Sequence, residues 1–136
     1  VEISLSYYQK VRQFMELMDQ NPIPSSPVVR NMETRMLRWR LITEEYRELY
    51  DEMWLDGLTE DNLANFAKEM ADLIYVVVGT AVAFGIDMDA IFDEVHRSNM
   101  SKYPVTYRED GKILKGPNYL PADIKAVLKR LTVDGE

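Results

Sequence analysis

The residues with the most chemical potential are acids at fixed spacing: "EEYRE" at 44–48 and "EMAD" at 69–72. On a helix, residues three apart share a face. Glu45 and Glu48 therefore form one pair, and Glu69 and Asp72 a second. Each pair continues an apolar stripe: Leu37 and Leu41 lead into Glu45, while Leu73 and Val76 lie one turn beyond Glu69 and Asp72. A carboxylate on such a stripe is costly unless a positive group meets it. A single EExxE is ordinarily a solvated acidic face. Two inward pairs on successive helices are another matter, because carboxylates that converge in a low dielectric must take up protons or hold cations between them. Hard divalent ions that favour oxygen suit such a site, Mg²⁺ first and Mn²⁺ as the alternative.

The elements that must position these acids are helices. Periodicity predicts a first helix over Ser6–Asp19, with Tyr7, Val11, Phe14, Met15 and Met18 at helical spacing. "NPIPSSP" at 21–27 ends it with three prolines. A second helix is expected over Val28–Leu55, stopped by Gly57, and a third over Glu60–Phe84, capped by Thr59 and ended by Gly85. The short turn between them predicts antiparallel packing that brings both acidic pairs to one level. Asp87 should cap a fourth helix running to Ser101. Beyond Pro104, Asp110-Gly111 between two alternating runs signals a hairpin, and a short helix over Ala122–Leu131 follows, with Pro121 suited to its start.

One domain over 1–136 is expected, with residues 1–5 and 132–136 loose. The fold class is all-α, a four- to five-helix bundle with a short hairpin near the C-terminus. Cysteine is absent, which excludes disulfides, thiolate metal sites and a cysteine nucleophile and fits a reducing cytoplasm. No signal peptide is visible at the start. The longest apolar run, 73–86, is too short for a bilayer and reads as a helix buried on nearly all sides. A small subunit cannot cover every face of it, so a homodimer, or a dimer of dimers, is expected. A net charge of −7 argues against a nucleic-acid polymer as partner, but not against a small phosphorylated ligand carried by divalent ions.

With these segments in place, the chain resembles the MazG-like all-α NTP pyrophosphatase superfamily. Its signature is EExxE, a spacer, then ExxD on the next helix, and here "EEYRE" and "EMAD" stand in that order. "LITEEYREL", "ADLIYVVVGTAVAFGID", "VHRSNMSK" and "DGKILKGPNYLP" extend the likeness across about 35–124, toward the branch that includes dimeric-dUTPase-like proteins. The resemblance implies cleavage of a nucleoside triphosphate to a monophosphate and pyrophosphate. Glu45, Glu48, Glu69 and Asp72 would be the metal ligands, and Glu44 would orient or deprotonate the attacking water. For Glu44 a surface ion pair is the competing role. The resemblance also implies that "HRSNMSKY" at 96–103 contacts the nucleotide. Asn99 then meets base or sugar and Lys102 a phosphate, with Tyr103 on the same side of the helix end. Lys112 and Lys115 would close over the phosphates from the hairpin, unless they are simply solvated lysines.

Other features point elsewhere. Asp93 and His96 form a DxxH pair, but with a single histidine a di-iron carboxylate bundle fails for one subunit. Trp39, Tyr46, Tyr50 and Trp54 can stack on a base or pack at a subunit interface. Two rivals stand beside the leading reading: a phosphoribosyl-ATP pyrophosphohydrolase, whose substrate asks for more basic residues at the pocket, and a non-catalytic helical module that dimerises and binds a partner. The base is not legible; the likeness tilts toward deoxynucleotides, dUTP first.

Overall fold

A computed structural model describes residues 3–18, 21–55 and 57–132. Five helices run in the order α1 (Tyr7–Met18), α2 (Met32–Met53), α3 (Glu60–Ala83), α4 (Met88–Met100) and α5 (Ile124–Leu131). A two-stranded hairpin, β1 (Thr106–Tyr107) and β2 (Ile113–Leu114), lies between the last two. The fold is all-α, as the helical periodicity requires.

Capping sets the boundaries. Ser6 starts α1 with a reciprocal box: its hydroxyl accepts from Gln9 N (3.1 Å) and its own N–H donates to Gln9 Oε1 (2.9 Å). Asn31 starts α2 by accepting from Thr34 N at 2.9 Å. That cap corrects the expected start at Val28: Val28 N instead donates to Phe84 O (3.0 Å), and Arg30 donates to Ala83 O (2.7 Å). Residues 26–30 thus close over the C-terminal end of α3. Thr59 caps α3, Asp87 caps α4 and Asp123 caps α5. The last helix therefore begins at Ile124, and Pro121 stands outside it. Gly85 turns the chain at φ 68°, and a Cβ there would sit 2.3 Å from Ser26 O, so both conformation and space demand glycine.

The core lies where α1 meets the second half of α3: Tyr8, Val11, Met15, Val78 and Val82 pack together, with Val82 fully buried. α2 also packs against α3, antiparallel to it, and α4 leaves α3 at 113°. The run at 73–86 is not buried on nearly all sides within one chain. Val78, Gly79, Ala81 and Val82 are buried, but Ile74, Tyr75 and Val77 are 45%, 40% and 43% exposed. These three form an apolar face with Tyr7 and Phe92, both exposed. No single helix among the described residues is long and apolar enough to cross a membrane. The expected loose ends and the Asp19 end of the first helix fall partly outside the described residues.

The expected hairpin is present, with Thr106 opposite Leu114, Tyr107 opposite Ile113 and Gly111 at φ 87° in its turn. α5 docks on α4 through Val127, 1% exposed, and through a polar clasp. Glu94 accepts from Asp123 N (2.8 Å) and pairs with Arg97 (2.9 Å), whose guanidinium also donates to Pro121 O at 3.0 Å.

Candidate metal centre

Antiparallel packing of α2 on α3 brings the two acidic pairs face to face. One carboxylate oxygen from each of Glu45, Glu48, Glu69 and Asp72 lies within 4.8 Å of the others. The i, i+3 spacing within each pair and the opposed chain directions set Glu45 toward Asp72 and Glu48 against Glu69. The stripe that faces α3 differs slightly from the expected one, since Leu37 is 47% exposed.

The site is electrostatically unsatisfied. Glu45 Oε2 and Glu69 Oε2 are buried and accept no hydrogen bond. Loss of water pushes the Glu45 carboxyl above its ordinary range, and repulsion from Glu48, Asp72 and Glu69 adds to this. Glu69 is also raised, first by its close pairing with Glu48 and then by burial, while Lys68 pulls the other way. Lys68 donates to Asp72 at 2.7 Å and lies 4.0 Å from Glu69. Its own pKa rises chiefly through the bond to Asp72. One ammonium on the rim does not balance this group of carboxylates. A divalent cation would: the donors are all hard oxygens, they converge, and two of them lack any other partner.

The remaining expected site residues stand as follows. Glu44 is exposed, beside the cluster in sequence but outside it. Asn99 is exposed near the end of α4. Lys102 and Tyr103 lie beyond the Ser101 cap, so they do not share a helix side with Asn99; Lys102 is half-buried and Tyr103 is 75% exposed. Lys102 O accepts from Gly116 N (3.1 Å), and a Cβ at Gly116 would meet Pro104 O at 1.8 Å. This close crossing holds the 102–104 and 115–117 segments together. Lys112 and Lys115 flank β2, both exposed, with Lys115 Nζ 4.9 Å from the centre of the Tyr119 ring. Asp93 and His96 are exposed. Tyr46, Tyr50 and Trp54 form an exposed ladder on α2, with centroids 6.4 and 6.2 Å apart.

Sequence reasoning passed over Glu52. It follows Glu45 by seven residues, hence on the same face, and its Oε2 is buried without a hydrogen bond. The helical spacing was the available signal. Lys68 was also passed over, though its place four residues before Asp72 is the spacing of a helical ion pair.

An all-α chain that sets two acidic pairs across antiparallel helices has the build of a MazG-like pyrophosphatase. Residues 11–99 match the family model described as phosphoribosyl-ATP pyrophosphohydrolase, and the chain belongs to that family. It lies within the MazG-like all-α NTP pyrophosphatase superfamily, whose chemistry is hydrolysis of acid anhydrides; the match does not single out the dUTPase-like branch. The chain is also 30% identical, over 81 residues, to an uncharacterized protein of Acanthamoeba polyphaga mimivirus. That stretch is 59% of this chain and 32% of the viral protein, so the chain spans about a third of the length of that relative.

Proposed function

We propose that this chain is a divalent-metal-dependent nucleoside triphosphate pyrophosphatase, which hydrolyses a (d)NTP to (d)NMP and pyrophosphate in nucleotide-pool housekeeping. The observation that carries this reading is the convergence of Glu45, Glu48, Glu69 and Asp72, two of them with orphaned buried oxygens, in a family of pyrophosphohydrolases. In this reading those four residues hold Mg²⁺, with Mn²⁺ as substitute. When bound, the ion neutralises the polyphosphate and favours attack by water. Phosphoryl transfer asks mainly for positioning and charge stabilisation, so the chain needs no covalent nucleophile.

The other roles follow from the resemblance to the superfamily. Glu44, exposed and next to Glu45 in sequence, orients the water or takes its proton. Asn99 and Tyr103 meet base and sugar, and Lys102, Lys112 and Lys115 meet phosphates. All three lysines lie in the segment between α4 and α5, around the hairpin. In a homodimer, the 99–119 segment of one subunit then completes the site of the other. The proposed setting is the cytoplasm, and dUTP is the first nucleotide to try.

The family match favours one other reading, phosphoribosyl-ATP as substrate. A panel of NTPs, dNTPs, dUTP and phosphoribosyl-ATP, assayed for pyrophosphate with metal and with EDTA, separates the two. Turnover of phosphoribosyl-ATP alone would replace the first reading by the second.

A further inference from the structure

The acidic pairs meet only because α2 and α3 pack at one register, and a second contact reports that register. Arg38 lies seven residues before Glu45 in α2, and Gly79 lies seven after Asp72 in α3. In antiparallel helices these equal intervals put Arg38 opposite Gly79, just as Glu45 opposes Asp72. The side chains agree: Arg38 Nε donates to Thr80 Oγ1 (3.2 Å) and Nη2 to Val76 O (3.1 Å). Thr80 Oγ1 itself donates to Val76 O at 2.8 Å, so the guanidinium joins a polar group already formed on α3. Gly79 supplies the notch, since a Cβ there would lie 2.5 Å from Arg38 Nη2 and 3.5 Å from Met15 Sδ.

A planar guanidinium held by directed bonds such as these tolerates little sliding. Moving one residue along a helix rotates the facing side chain by about 100°. A slip that unseated Arg38 would therefore also turn the carboxylates away from one another. The turn at Gly57 ties α2 to α3 on one side of the acids, and Arg38 ties them on the other.

We propose that Arg38, seated in the notch at Gly79, is a positioning residue for the metal centre, fixing the register at which Glu45 and Glu48 meet Glu69 and Asp72. This inference rests on the metal-site reading above. The role proposed for Arg38 is placement of the helices.

The test measures binding of Mn²⁺ alone, by calorimetry or by the signal of the free ion in electron paramagnetic resonance. The full chain is compared with Arg38→Met, Arg38→Lys and Gly79→Ala, at a temperature where circular dichroism shows each folded. Gly79→Ala keeps the charge and displaces only the end of a flexible side chain, so it remains informative if Arg38→Met does not fold. Both are expected to weaken Mn²⁺ binding at least about tenfold, the scale of losing a residue that orients metal ligands. Arg38→Lys should recover part of this. Unchanged affinity in folded Gly79→Ala would overturn the proposal, as would tighter binding in Arg38→Met, the sign expected if the arginine mattered only as a nearby positive charge. Failure of the unaltered chain to bind Mn²⁺ would instead overturn the metal-site reading, and the proposal with it.

Discussion

At the scale of residues, the site is a set of carboxylates whose mutual repulsion is only partly offset, by Lys68. The cost should be visible in stability. Replacing Glu48 by Gln removes one like charge without changing shape, so the metal-free protein should become more stable by about 1 kcal/mol, roughly 3–5 °C in melting temperature. The same change should abolish the rise in melting temperature that Mn²⁺ gives the unaltered chain, and thermal scans with EDTA and with Mn²⁺ check both. A Glu48→Gln protein that loses stability in EDTA would contradict the repulsion account. These acids were legible in the sequence because helical spacing alone places them on one face. The orphaned oxygen of Glu52 was not, since its burial depends on how the end of α2 meets α3. Glu44, turned about 100° from Glu45 by the helix, is exposed, one of the two outcomes its position allowed.

At the scale of elements, helices were readable wherever a cap and a periodic stripe coincided. Thr59 and Asp87 fixed α3 and α4 almost to the residue, whereas Val28 misled because its N–H is engaged by Phe84 O instead of a helix. Asn31→Ala should cost about 1 kcal/mol by removing the cap of α2, measurable by urea denaturation. The docking of α5 should depend on pH through Glu94. Its bonds to Arg97 and to the Asp123 N–H lower its pKa to about 2. A lowered carboxyl pKa gives stability that is present above the ordinary value near 4.5 and is lost as pH falls toward 2. The protection of α5 amides, taken relative to their intrinsic exchange rate at each pH, should fall across that window, and Glu94→Gln should flatten the response by loosening the clasp already at neutral pH. Protection that does not change with acid in the unaltered chain would show that Val127 and its neighbours hold α5 without the clasp.

At the scale of the whole molecule, the chain keeps a small core and leaves much apolar surface open. Val82 is fully buried, and Val82→Ala should cost about 2 kcal/mol by opening a cavity. Ile74, Tyr75, Val77, Phe92 and Tyr7 remain exposed on one side, and Trp39, Tyr46, Tyr50 and Trp54 on α2. The apolar run at 73–86 suggested this from sequence, but which of its faces stay open emerged only from the packing of α1 and α2. Light scattering should find a dimer or larger assembly at micromolar concentration, and a monomer at every concentration would contradict the proposed assembly. The base is the least legible feature, because its pocket is shaped by tertiary contacts that no local pattern encodes.

The most direct measurement is pyrophosphate release from the common NTPs, the dNTPs and dUTP, with Mg²⁺, with Mn²⁺ and with EDTA, run beside the Glu48→Gln variant. The account expects metal-dependent release from one or a few nucleotides, lost in EDTA and reduced at least about a hundredfold in the variant, the scale of removing a group that stabilises transition-state charge. Release that persists in EDTA or survives Glu48→Gln would contradict it, as would a folded, metal-loaded protein that cleaves none of them.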